Sequence, residues 1–154
     1  MATKTPAQQI GLAVQRHGLL AVFPNSQCTI HKSCLQWTGT LQPSPLSACY
    51  MVQLSYVLKF APKVRVLDPP LQQREGRSAP HRYSNGNLCL YLPEANEWAP
   101  HMRLVDVIVP WASEWLLHYE YWLVTGEWQG GGTHSVRYGQ KSSGSSRERG
   151  LPCP

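Results

Sequence analysis

Cys89 lies in the run Pro80-His81-Arg82-Tyr83-Ser84-Asn85-Gly86-Asn87-Leu88-Cys89-Leu90-Tyr91-Leu92, directly after a turn signal. Gly86 takes positive φ without a Cβ penalty, and Asn85 tolerates the left-handed region better than most residues. A thiol that a turn delivers can act as a nucleophile, whereas a thiol between two leucines can equally be a small buried hydrophobe. Nucleophilic use needs the thiolate. An ordinary cysteine titrates near ~8.5, so a few per cent is ionised at neutral pH, and adjacent cations favour that form. Arg82 and, when protonated, His81 are the cations of this run. His81 also has a ring N–H to offer a developing oxyanion, as have the backbone amides from Asn85 to Leu88.

No other residue set in the chain assembles a comparable site. Cys28-Thr29-Ile30-His31-Lys32-Ser33-Cys34 has soft ligands at close spacing. If the run is extended, alternation sends both cysteines to one side and His31 to the other, and no second close pair completes a tetrahedral zinc site. Gly130-Gly131-Gly132 is no phosphate loop of the usual kind, because no Lys-Ser/Thr follows and no strand precedes. His118 falls on an aromatic helical stripe and reads as a core histidine. No cofactor and no metal are expected. Residues 59 to 82 hold Lys59, Lys63, Arg65, Arg74, Arg77 and Arg82 against Asp68 and Glu75, within a chain of net charge +5. That is a solvated basic face or a docking surface beside the thiol. Direct nucleic-acid binding is not favoured, since the aromatics sit in core patterns rather than between the basic residues.

The elements that must position Cys89 are those of one α+β domain, the natural size for 154 residues. A first helix is expected over about residues 6 to 17, with Thr5 as N-cap, Pro6 in the first position, Gln8 closing a capping box and Gly18 as C-terminal cap. Ile10, Ala13 and Val14 would form its apolar face. Strand-like runs follow at Cys34 to Leu41, Ala48 to Tyr56 and Lys63 to Leu67, spaced as an antiparallel meander. Pro110 suits a helix start, so a second helix is expected near it, running from Trp111 to about Val124. Trp111, Trp115, His118 and Trp122 share one stripe, with Leu116, Tyr119 and Leu123 beside it. The domain is expected to span 1–138. Residues 139–154 carry too few apolar groups to pack and read as a disordered tail, in which Cys153 is incidental. The odd count of five cysteines, with no N-terminal apolar signal core and no run long enough to cross a membrane, argues for a reducing cytoplasm.

Pro80, Tyr83, Gly86, Leu88-Cys89-Leu90 and Trp98-Ala99-Pro100 together resemble the active-site segment of the ubiquitin-conjugating enzyme family. No gap is needed between Pro80 and Leu90. The resemblance implies that Cys89 carries the C-terminus of a ubiquitin-like protein as a thioester. It also implies the order of elements: helix, strand meander, cysteine segment, long C-terminal helix. The family's His-Pro-Asn triplet is Ala79-Pro80-His81 here, which puts His81 in the place of the oxyanion-stabilising Asn. That departure touches lysine transfer more than thioester formation.

The run from Trp115 to Gly132 is similar to the end of the conjugating-enzyme domain in the bacterial branch found in CBASS antiphage operons, which also tends to lack the triplet. This branch implies a second kind of partner, a cGAS-like nucleotidyltransferase whose own C-terminus is conjugated. The chain is short enough for the stand-alone form of that branch. It has no adenylation loop with which to activate a carboxylate itself. Two other functions stay open on the same residues: a non-catalytic binding module that holds the nucleotidyltransferase, and a hydrolase pairing Cys89 with His81, His101 or His118.

Overall fold

The computed structural model describes residues 7–92 and 95–130. Their order is α1 (Leu12–Val22), β1 (Gln27–His31), β2 (Cys34–Leu41), β3 (Tyr50–Val57), β4 (Lys63–Asp68) and α2 (Ile108–Thr125). The four strands form one antiparallel sheet in the order β1-β2-β3-β4, so the expected meander stands with one strand more than the sequence suggested. The added strand is β1. Residues 28 to 34 are therefore a hairpin rather than one extended run: Lys32 and Ser33 turn at φ 45 and 63, and His31 pairs with Cys34. Two positive φ values in a row suit a two-residue hairpin loop.

Alternation along β3 is as expected, with Tyr50, Val52, Leu54 and Tyr56 buried. They join Leu35 and Trp37 of β2, Val64 of β4, Leu19 of α1, and Ile108, Ala112, Trp115, Leu116, Tyr119 and Trp122 of α2 in a single core. Tyr50 ties sheet to helix. Its hydroxyl donates to Glu120 Oε1 at 2.8 Å, and its ring meets Tyr119 edge-on at 6.3 Å. Burial and that carboxylate together push its phenol pKa well up.

α1 departs from expectation. It begins at Leu12 and runs through Gly18, and Val14 is exposed while Gln15, Gly18 and Leu19 are buried. Gly18 is interior because a neighbouring chain passes close to it: a Cβ there would sit 3.0 Å from the Arg103 guanidinium. Gln15 explains the register. Its amide donates to Met102 O at 2.8 Å and accepts from Leu104 N at 2.9 Å, which fixes the loop before α2 against α1. Thr5 and Pro6 lie outside the described residues, as do 139–154.

α2 starts two residues before Pro110. The first four residues of a helix have no intrahelical acceptor for their N–H groups, so proline costs no hydrogen bond at the third position. Gly126 ends the helix in the left-handed region at φ 80, with its N–H on Trp122 O at 2.7 Å.

Candidate functional site

The segment that carries Cys89 is a small hairpin docked on the edge of the sheet. Arg82 pairs with Leu88, and Tyr83 N donates to Asn87 O at 2.8 Å. Gly86 at φ 90 makes the turn, and Asn85 supplies a side-chain oxygen to Asn87 N at 3.0 Å rather than a left-handed backbone. Leu88 is buried and its N–H reaches Val64 O of β4 at 2.7 Å. Leu88 therefore anchors the run, and Leu90 packs against the core from a half-buried position. Between them Cys89 remains partly exposed, its Sγ 3.8 Å from the Tyr91 carbonyl oxygen.

His81 is fixed by its backbone. Its carbonyl accepts from Cys89 N at 2.8 Å and from Trp115 Nε1 of α2 at 2.9 Å. Its φ is 55, a conformation that costs a residue with a Cβ roughly 1–2 kcal/mol. The two hydrogen bonds hold the residue there, and its ring lies 5.2 Å from the Trp128 ring.

Cys89 and His81 line one groove of about 170 Å³ with Glu97, with Trp111, Glu114, Trp115 and His118 of α2, and with Trp128 beyond its end. His118 is thus no core histidine. Its side chain faces the groove, 22 % exposed, with Nε2 3.6 Å from Glu114 Oε1. The reason is helical phase: Trp115, Tyr119 and Trp122 take the buried arc, which leaves Glu114 and His118 at its margin. Trp128 closes one end of the groove, its ring 5.4 Å from Trp115 and 5.8 Å from His118. His101 is exposed and lines no part of it.

Four backbone amides of the cysteine hairpin are already committed. Gly86 N donates to Tyr83 O, Asn87 N to Asn85 Oδ1, Leu88 N to Val64 O and Cys89 N to His81 O, all between 2.7 and 3.0 Å. Three of these lie in the stretch that the sequence offered as alternative oxyanion donors. Tyr91 is 9 % exposed, and burial first, then the charges of Cys89 and Tyr56, push its phenol pKa up to about 12.

Of the other thiols, Cys28 is buried and Cys49 exposed, both free. Burial pushes the Cys28 thiol pKa up. Cys34 is buried at the start of β2. Among the described residues no cluster of three or more His, Cys, Asp or Glu is arranged to hold a metal ion, and no helix is long and apolar enough to cross a membrane. Of the basic run, Lys63 and Arg65 lie on β4, Arg82 on the cysteine hairpin, and Arg74 and Arg77 in a turn where both meet Glu75 at 3.2 Å.

Residues 15–135 match the family model E2-CBASS, described as Type II CBASS E2 protein. No curated protein matches the chain.

Proposed function

Because this chain belongs to the family of type II CBASS E2 proteins, we propose that it is a ubiquitin-conjugating-like acyl carrier whose Cys89 takes up the C-terminus of a protein partner as a thioester. The observation that carries this reading is the partly exposed Cys89 thiol facing a groove that it shares with His81. The partner of choice is a cGAS-like nucleotidyltransferase of the antiphage system, a ubiquitin-like protein being the alternative.

The acyl group arrives already activated, as a thioester on a donor enzyme. The Cys89 thiolate attacks the carbonyl carbon, a new C–S bond forms, and the C–S bond to the donor breaks. The donor sulfur leaves with the electron pair and takes up a proton equivalent to the one Cys89 lost. During attack the carbonyl oxygen gathers negative charge. With the amides of residues 86 to 89 donating elsewhere, the His81 imidazole is the donor we assign to that oxyanion. Its doubly bonded carbonyl keeps the residue beside Cys89 throughout.

Co-expression with a cGAS-like nucleotidyltransferase of such a system, followed by a non-reducing gel and intact mass, tests the reading. The wild-type chain is expected to form a reductant-sensitive adduct, Cys89→Ser a reductant-resistant oxyester, and Cys89→Ala none. An adduct that persists in Cys89→Ala, or no adduct with unimpaired antiphage function in Cys89→Ala, would leave a binding module on the same fold.

A further inference from the structure

Discharge of a thioester to an amine needs a site for the amine's proton, and His81 is already assigned to the oxyanion. The groove that Cys89 lines also holds His118. His118 stands on α2 one turn after Glu114, and residues four apart on a helix share a face. The Glu114 carboxylate lies 3.6 Å from His118 Nε2, near enough for its charge to orient the ring. The titratable groups that line the groove with this imidazole are Cys89 and His81 from the cysteine segment and Glu97 from the loop after it, with Glu114 on its own helix. Among the described residues no lysine or arginine lines the groove.

We infer that His118, oriented by Glu114, is the general base that accepts the proton of the nucleophile discharging the Cys89 thioester. In the step, the amine nitrogen forms a bond to the thioester carbonyl carbon and its proton passes to the His118 imidazole. The C–S bond breaks, the electron pair leaves on Cys89 Sγ, and the imidazolium returns the proton to the thiol or to water. Glu114 is a positioning residue. This inference rests on the proposed carrier function and adds a second imidazole of the same groove to it.

The test needs no protein partner. In a Cys49→Ser background, which removes the exposed competing thiol, Cys89 is acylated to completion with an N-acetylglycine alkyl thioester and the site confirmed by peptide mapping. Trifluoroethylamine is then added and loss of the acyl mass followed from about pH 5.5 to about pH 9. This amine is too weakly basic for its own ionisation to dominate that range. The wild-type rate is expected to rise as the imidazole loses its proton and then to level off. In His118→Gln it should be on the order of a hundredfold lower at the plateau, with the inflection gone. Free imidazole should restore part of the rate to His118→Ala, which a purely structural role would not allow. Glu114→Gln should keep the inflection at a lower plateau.

If acyl-Cys89 decays in His118→Gln at the wild-type rate with the wild-type pH profile, His118 is no base and the carrier reading stands without it. A slower decay with the same profile and no imidazole rescue likewise overturns the assignment. If the probe never acylates Cys89 in the folded chain, the carrier reading falls and this inference with it.

Discussion

Replacing His81 by alanine removes the imidazole while leaving almost everything else about the residue in place. The His81 carbonyl accepts from Cys89 N at 2.8 Å and from Trp115 Nε1 at 2.9 Å, and alanine keeps both bonds. Alanine also keeps the Cβ, so the cost of φ 55 is unchanged. Among the described contacts, folding loses the ring contact with Trp128 at 5.2 Å, of the order of 1 kcal/mol. What transfer loses is one oxyanion donor, typically ~3 kcal/mol or about a hundredfold in rate. The expected result is a small shift in the urea midpoint and a hundredfold slower single-turnover transfer from Cys89. The alkylation rate of Cys89 should be close to wild type, because access to the thiol is unaltered. His81→Gly separates the terms further: it relieves the left-handed cost of about 1 kcal/mol and so recovers stability, yet transfer stays slow. Unchanged transfer in both variants would remove the imidazole from the chemistry. A stability loss well above 3 kcal/mol in His81→Ala would show that the side chain, not the carbonyl, holds the segment.

Gln15→Ala strips two buried backbone groups, Met102 O and Leu104 N, of their partners, and should cost about 3 kcal/mol in chemical denaturation; a change below 1 kcal/mol would mean that water replaces the amide. Gly86→Ala meets no crowding, its nearest neighbour being Arg82 at 3.7 Å, but forces a Cβ to φ 90. It should destabilise by roughly 1–2 kcal/mol and slow alkylation of Cys89, and wild-type behaviour in both would show that the turn can re-form otherwise. In alkali, Tyr50, Tyr56 and Tyr91 should stay protonated past the ordinary tyrosine value of about 10, since burial raises all three. Each phenol therefore adds stability that is full below about pH 10 and lost as pH rises through its folded value, about 12 for Tyr91. Ultraviolet titration should show these three of the seven tyrosines ionising together with unfolding, and a single simple transition near pH 10 would refute the assignment.

The sequence by itself determined the elements whose signals are local. Alternation wrote β3 and β4, Gly126 wrote the end of α2, and Asn85-Gly86 wrote the turn before Cys89, all from neighbours along the chain. It also carried the resemblance on which Cys89 and His81 were chosen. Where the chain lacked a local signal the reading failed. The β1–β2 turn is made by Lys32 and Ser33, neither of them a residue that advertises positive φ, so the hairpin left no mark. α1 was misplaced because its deciding contact is Gln15 with Met102 and Leu104, 87 and 89 residues away, and a buried glutamine breaks the apolar pattern by which such helices are found. The groove was decided by tertiary structure alone. Trp111, Trp115 and His118 share a stripe in sequence, but which part of a stripe is core and which is wall depends on where the cysteine hairpin and Trp128 stop covering it. Helical periodicity fixes the angle of a side chain about its axis and says nothing of what lies opposite. His118 therefore reads as core until the fold puts it in the groove that Cys89 also lines.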